Sequence, residues 1–492
     1  MEIIHLSTTW EPRNGAYKNA IVLYDDNWND YSYRTTFHMV YCDGNGKVIQ
    51  IGYVKIYCYD IDEERTVNYS RPVANEIPHT IDHLDQERFC SLGQDLNYYK
   101  NLEKYLPHDY IDILKRICDL AFDKSLQDRF IDEKGVRVSL LRESSAEKAL
   151  REAFLDKENI EIETEDKDMS FNYTTTLPYS DLESIFHFNF RRSETLPYRI
   201  NILIGKNGTG KTEVLASLAN SLSGISSSAD ERIRMFGEKR PSFDRVISIS
   251  FSAFDKFRKR TASNHYESIS YIYCGIQSEK GALSLNDLHS NLYSSLQTIK
   301  EKGRIESWKK VMSELIEKEH IELIEKIAND PNGDIHLSSG QHILICSITE
   351  ALANIENESI ILFDEPELHL HPNAIANTMR MFYTLLEEFN SYAIMATHSP
   401  LIIQETPSRF IQALTRIDNE LIIREPDIEC FGENITTITD DIFDVNISES
   451  CYKTVLKQLS DKYSIEEIIK LFEDKLSLNS MIFLKTCCRE NN

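Results

Sequence analysis

The octapeptide Gly205-Lys206-Asn207-Gly208-Thr209-Gly210-Lys211-Thr212 narrows the possible folds of this chain more than any other stretch. It fits G-x-x-x-x-G-K-[ST], and its flanks agree with that spacing. Residues 198–204 form a short apolar run suited to a buried strand, and residues 213–222 carry apolar positions at helical intervals. A strand, a glycine turn and a helix start together make a polyphosphate cradle. The glycines let successive backbone N–H groups curl round an anion, and the helix N-terminus adds partial positive charge. Lys211 is placed to reach β- and γ-phosphates and the Thr212 hydroxyl to bind Mg2+, so ATP and Mg2+ are the expected ligands. The bland alternative, a glycine-rich surface turn, has no need of both flanks. An α/β core follows from this unit.

Composition then sets limits. A chain of 492 residues has room for several domains, each with its own core. A net charge of −25 excludes a protein that coats nucleic acid by charge alone, so DNA contact would need a local patch such as Lys256-Phe257-Arg258-Lys259-Arg260. The ten cysteines are scattered without a C-x-x-C, which reads as buried thiols of a reducing cytoplasm and not as disulfides or a zinc site. The N-terminal residues lack the pattern of a signal peptide, and no apolar run reaches membrane-spanning length. A cytoplasmic protein with no membrane partner is expected.

Taken in order, residues 1–60 read as β-rich, with strands over 35–42 and 47–57 flanking the hairpin signal Asp43-Gly44-Asn45-Gly46. Residues 81–155 read as helical. Leu92, Leu96, Tyr99 and Leu102 fall in one segment, Ile111, Leu114, Ile117 and Leu120 in the next, and Ser144 or Ser145 caps a third over 146–155. The acidic stretches 60–64 and 161–168 read as a sheet end and a linker. Strands over 171–177 and 185–190 lead into the glycine loop. Residues 224–244 read as a loop, 246–251 as a central strand, and 283–330 as helices with Ile305, Trp308, Met312, Leu315 and Ile316 on one face. The expected division is an N-terminal region 1–165, a core 166–428 with a helical lobe near 276–356, and a helical C-terminal region 429–492, with Ile465, Ile468, Ile469 and Phe472 on one face.

Three stretches in the second half carry chemistry. Leu337-Ser338-Ser339-Gly340-Gln341 opens a helix over 341–355. Residues 359–363 form a buried strand ending in Asp364-Glu365-Pro366, and residues 392–396 form another ending in Thr397-His398-Ser399-Pro400. Carboxylates at the end of a buried strand are costly unless a cation or water network uses them. Asp364 is placed to hold Mg2+ opposite Thr212, Glu365 to polarise the attacking water, and His398 to bond the γ-phosphate. Ser338 and Gly340 at a helix start make a second anion site. A chain that already has one phosphate loop can use a second site by closing on a partner's nucleotide, which implies a homodimer or higher homo-oligomer with ATP sandwiched between subunits.

In this order the motifs resemble those of the ABC-type ATPases, including SMC, RecF and Rad50 heads. The resemblance covers residues 166–428 and implies a mixed sheet with a P-loop core, an antiparallel β part and a helical lobe; here a helical insertion and a helical C-terminal region are added. In that family the elements are the Walker A loop (205–212), the signature (337–341), Walker B (360–365) and the switch histidine (His398). Two positions depart from the pattern. Ser339 replaces the first glycine of the signature, and no glutamine follows the 246–251 strand where a Q-loop is expected, which leaves Ser252 or Asp255 as substitutes. After Glu365, the run Pro366-Glu367-Leu368-His369-Leu370-His371-Pro372 resembles OLD, RecF and AAA_21-type bacterial ATPases, not the Ser-Ala-Leu-Asp stretch of transporter subunits. It would put His371 where the D-loop aspartate points across the dimer. Residues beyond His398 lack the Glu plus Asp-x-Asp set of a TOPRIM nuclease. The whole is similar to the PtuA-type ATPases of Septu and retron anti-phage systems, with the PARIS ATPase as a rival. That resemblance implies a regulator that controls a separate HNH or TOPRIM nuclease through ATP-dependent dimerisation. A RecF-like DNA-binding repair ATPase and a transporter nucleotide-binding subunit are the alternatives.

Overall fold

The computed structural model describes residues 1–7, 9–26, 30, 33–59, 73–154, 169–224, 229–237, 240–252, 256–257, 270–278, 281–327, 339–368, 370–443 and 451–490. The acidic stretches at 60–64 and 161–168 lie outside them. The chain divides into two compact units, Met1–Asn434 and Ile435–Asn492.

The first unit begins with a five-stranded sheet of β1 (Glu2–Leu6), β2 (Ala20–Asp25), β3 (Thr36–Cys42), β4 (Val48–Cys58) and β5 (Phe89–Gly93), in that spatial order. The β1–β2 pair is parallel and the others antiparallel. The β3–β4 turn forms at the Asp-Gly-Asn-Gly signal, where Asp43 Oδ1 accepts from the Asn45 and Lys47 N–H groups, each at 2.8 Å. Helices α1 (Leu96–Tyr105), α2 (Tyr110–Arg116) and α3 (Lys124–Phe130), a π-helical turn at Val136–Leu140, and α4 (Ser144–Glu152) share one core with the sheet, built on Phe37, Tyr98, Leu102, Leu114 and Phe130. The helical reading of 81–155 is corrected at two points. Leu92 belongs to β5, paired with Lys55, because five residues buried without alternation carry no period that separates strand from helix. Ser144 does not cap α4: Glu143 holds the N-cap position without a side-chain bond, and the Ser144 hydroxyl donates to Phe243 O at 3.3 Å.

The second sheet holds the glycine loop. An antiparallel hairpin, β6 (Met169–Thr176) and β7 (Glu183–Phe190), precedes β8 (Ile200–Gly205), α5 (Lys211–Ser223) and α6 (Ala229–Phe236). Helix α6 falls in the stretch read as a loop; its Phe236 joins the aromatic core of Phe171, Tyr173 and Phe243, a tertiary reward that local pattern does not show. Then come β9 (Val246–Ser250), β10 (Tyr271–Tyr273), the small hairpin β11 (Gln277–Ser278) and β12 (Gly281–Ala282), and a helical lobe of α7 (Leu285–Glu301), α8 (Ile305–Met312), α9 (Lys318–Ile327) and α10 (Ser339–Asn354). β13 (Ile360–Asp364), α11 (Pro372–Glu388), β14 (Tyr392–Thr397), α12 (Pro400–Ile403), β15 (Ile411–Ile417) and β16 (Glu420–Arg424) complete it. The seven strands lie in the order β10-β9-β13-β14-β8-β15-β16, and every neighbouring pair is parallel except β15–β16. Trp308 and Met312 are fully buried in the lobe, and Leu315 and Ile316 are buried beside them.

Ion pairs and hydrogen bonds join the two sheets. Arg142 Nε donates to Gly224 O, just past α5, at 2.8 Å, and Arg245 pairs with Asp95 at 3.1 Å. Lys148 pairs with Asp244 at 3.1 Å and Glu358 at 2.7 Å.

The second unit is helical: α13 (Ile435–Phe443), α14 (Cys451–Ser460), α15 (Ile465–Leu471) and α16 (Leu478–Glu490), with a small core of Leu456, Ile468 and Leu484. Of the apolar face expected there only Ile468 is buried, and Phe472 is exposed. Cys42, Cys58, Cys90, Cys118, Cys274, Cys346 and Cys430 are buried free thiols. No helix among the described residues is long and apolar enough to cross a membrane.

Candidate active site

Three parallel strands finish at one edge. Asp364 of β13 stands opposite Ala396 of β14, and Thr397 of β14 stands opposite Ile204 of β8, so Asp364, Thr397 and Gly205 reach the carboxyl end of the sheet together. Open α/β sheets bind ligands at that edge.

The loop between β8 and α5 needs its glycines for different reasons. Gly208 and Gly210 have φ of +83° and +96°, and Gly210 is the residue from which α5 starts. Gly205 is held by space: a Cβ there would stand 2.4 Å from Leu414 O. Lys206, Asn207 and Gly208 are exposed, while Thr209 is buried and closes the turn by donating from Oγ1 to Lys206 O at 2.9 Å. Lys211 is 5 % exposed, and its Nζ donates to Gly205 O at 2.8 Å and Lys206 O at 3.1 Å. Burial lowers the Lys211 pKa, and Glu365, Asp364 and Glu367 oppose that shift by favouring the charged form. The ammonium is thus a buried cation at the floor of a backbone N–H cradle.

Thr212 Oγ1 donates to Asp364 Oδ2 at 2.8 Å, across from Lys211. Asp364 is buried. A hydroxyl and a carboxylate in contact are hard oxygen donors of the kind Mg2+ takes alongside phosphate oxygens and water. Glu365 has φ of +52°, a left-handed conformation that costs a residue with a side chain about 1 kcal/mol or more. Its N–H donates to Ala396 O at 2.8 Å, which fixes the turn as β13 ends. His398 stands at the mouth with its side chain 41 % exposed; Nδ1 lies 3.6 Å from Glu365 Oε1 and 3.2 Å from Glu367 Oε1.

Lys211, Thr212, Asp364, Glu365 and His398 therefore share one cluster. Gly340 lies in the first turn of α10 in the helical lobe, with no backbone hydrogen bond to residues 205–212 among the described residues, and Ser338 lies outside the described residues, as does His369. Ser252 turns back, its N–H donating to Ser250 Oγ at 3.2 Å, and Asp255 also falls outside the described residues. His371 is exposed just before α11.

Two residues at the site escape the sequence pattern. Tyr179, in the turn between β6 and β7, donates from its hydroxyl to Thr209 O at 2.7 Å, with the Arg416 guanidinium 3.8 Å over its ring. No spacing rule marks it. Glu367 is the second; it stands in the run after Glu365 that carried the resemblance, and its signal is a third carboxylate two residues past Glu365.

Left-handed glycines, a buried lysine among carboxylates and a Thr–Asp contact at the strand edge fit ATP with Mg2+. Residues 312–404 match AAA_21, an AAA-domain family whose description mentions the AbiEii toxin of type IV TA systems. The chain is 29% identical over 507 residues to protein ea59 of Escherichia phage lambda, an alignment that covers 95% of this chain and 94% of that one. Among solved structures, similarity extends to an ATP-binding cassette of an ABC transporter in its ADP conformation (12% identity, 57% of this chain and 96% of that one, TM-score 0.31). It also extends to an inward-facing metal-chelate type ABC transporter (15%, 52% and 84%, TM-score 0.29). A third is an SMC head bound to the C-terminal winged-helix domain of ScpA (11%, 52% and 96%, TM-score 0.28). The second sheet and its lobe form a mixed α/β unit that sets the glycine loop, Asp364-Glu365 and His398 at the carboxyl ends of β8, β13 and β14.

Proposed function

We propose that this chain binds Mg-ATP on the 205–212 loop and hydrolyses it with Glu365 as general base, two copies enclosing the nucleotides between them, and that the nucleotide state controls a separate nuclease. The observation that carries the reading is the 2.8 Å contact between Thr212 and Asp364 in a cluster that also holds Lys211, Glu365 and His398. Lys211 and the loop N–H groups would hold the β- and γ-phosphates, and Thr212 and Asp364 the metal. When bound there, Mg2+ would screen phosphate charge and orient the terminal phosphoryl group. The Glu365 side chain, partly exposed, would take a proton from a water. Tyr179, with Arg416 over it, offers a flat cationic edge beside the loop against which a purine could rest.

The regulatory part of the proposal draws on the phage relative. The end-to-end relative from a phage fits a protein of the conflict between phages and their hosts. Ser338 and Gly340 would reach the partner copy's γ-phosphate in the closed dimer. Of the basic run at 256–260, Phe257 is buried, the exposed Lys256 pairs with Glu213 at 3.4 Å, and residues 258–260 lie outside the described residues.

The test is turnover and assembly together. Wild-type protein should release phosphate from ATP, and Glu365→Gln should bind ATP, lose turnover and shift to a dimer by light scattering. A monomeric Glu365→Gln protein at saturating ATP would remove the sandwich, and phosphate release unaffected by that substitution would remove the mechanism. Co-expression with neighbouring HNH or TOPRIM reading frames should yield a complex whose nuclease activity changes with nucleotide.

A further inference from the structure

The Glu367 carboxylate makes several contacts at the site, and the hydrolysis scheme gives it no task. Its side chain is 8 % exposed. One oxygen, Oε1, accepts from Thr397 Oγ1 at 2.7 Å and from the His398 N–H at 2.9 Å, and lies 3.2 Å from His398 Nδ1. The other oxygen, Oε2, is buried and has no hydrogen-bond partner among the described residues. The turn that presents it is closed by the Leu368 N–H donating to Glu365 O at 3.0 Å. One carboxylate thus grips the last residue of β14, the next backbone amide and the imidazole itself.

We infer that Glu367 is the positioning residue of His398: it fixes the backbone and the ring in the place from which the imidazole meets the γ-phosphate. This rests on the ATPase reading above. The Oε1 atom that accepts from the His398 N–H also lies beside the ring, so the backbone and the side chain of His398 are held from one point, with Nε2 on the far side of the ring from it. The pull on Nδ1 comes from the same oxygen that holds the end of β14, so loss of the phosphate is felt by the strand end as well as by the ring. Glu365, at 3.6 Å from the same nitrogen, is the more distant partner and keeps its oxygens for water.

Glu367→Gln keeps the size and, with its amide oxygen at the Oε1 position, the acceptor for Thr397 and the amide, but brings no charge to the ring. It should lower kcat by about 10- to 100-fold, the range usual for a residue that orients a histidine, with KM for ATP changed by less than about twofold. If Glu367 works through His398, its effect should vanish in a His398→Ala background, so that Glu367→Gln/His398→Ala turns over within about twofold of His398→Ala alone. Thr397→Val, which removes one of the other bonds to Oε1, serves as the structural control and should cost less kcat than Glu367→Gln. An unchanged kcat in Glu367→Gln, or losses that multiply in the double variant, overturns the inference while wild-type turnover leaves the ATPase reading standing. A wild-type protein that releases no phosphate overturns both.

Discussion

Two buried clusters of charge in the first unit are built differently. Beneath the N-terminal sheet, Asp30 is fully enclosed and both oxygens are engaged: Oδ2 accepts from Lys55 Nζ at 2.7 Å and Ser139 Oγ at 2.8 Å, and Oδ1 accepts from Arg142. Burial works against that charge, but Lys55 and Arg142 outweigh it and hold Asp30 below the usual carboxylate range. At the edge of the second sheet the same residue types are gathered without that closure. Lys211 rests on two carbonyls, Glu365 keeps part of its side chain exposed, and Glu367 concentrates its bonds on one oxygen. A saturated cluster holds elements together, whereas one with capacity in reserve can take a substrate.

The contrast can be broken by substitution. The largest effect belongs to the open cluster: Glu365→Gln or Lys211→Ala should cut ATP turnover by about 100- to 10,000-fold, measured as phosphate release, while the thermal midpoint stays close to that of the wild type. If either variant unfolded instead, the open cluster would be structural. Next comes the closed cluster. Asp30→Ala leaves Lys55 and Arg142 buried without their counter-charge and should cost about 3–5 kcal/mol in denaturant unfolding. Turnover per folded molecule should survive, and a loss of activity without loss of stability would erase the distinction.

A third buried carboxyl sharpens it through pH. Burial raises Asp119 from its ordinary 3.8 to about 7, against the opposing bonds from the Tyr99 hydroxyl and the Phe122 and Ala121 N–H groups. The folded state therefore holds this proton more tightly than the unfolded chain. Its stabilising contribution is complete below about pH 4 and is lost as pH rises through about 7. Asp119→Asn should flatten the stability profile over that window, and parallel profiles for the two proteins would show that Asp119 titrates as an ordinary surface carboxylate. The smallest effect is local. Ser284 and Asp287 form a capping box at the start of α7, and Ser284→Ala should cost about 1 kcal/mol with no change in turnover.

Much of the site is legible in the amino-acid order, because each of its motifs has a local cause. Loop glycines are set by positive φ, and Asp364 and Glu365 stand out because carboxylates follow a run of four buried apolar residues. The features that are not legible there have no local cause. Strand β5 carries a helix-like pattern because Phe89–Gly93 is buried on both faces. Helix α6 is stabilised by the place of Phe236 in an aromatic core assembled from distant residues. Asn201 and Gln412 stand as polar interruptions within apolar strands. They bridge β7 to the sheet, Gln412 with the main chain of His187 at 3.2 and 3.0 Å and Asn201 with that of Asn189 at 3.2 and 2.8 Å.

By itself the sequence determined the order of strand, loop and helix around Lys211 and the residue types at each strand end, since these follow from backbone sterics and from the cost of burying charge. Tertiary structure alone decided which strand ends meet. The register of β8, β13 and β14 brings Thr212 to Asp364 and Glu367 to His398, across gaps of 152 and 31 positions. No short-range rule spans such a separation, because the bonds that fix it run between strands whose pairing is settled only when the whole sheet packs.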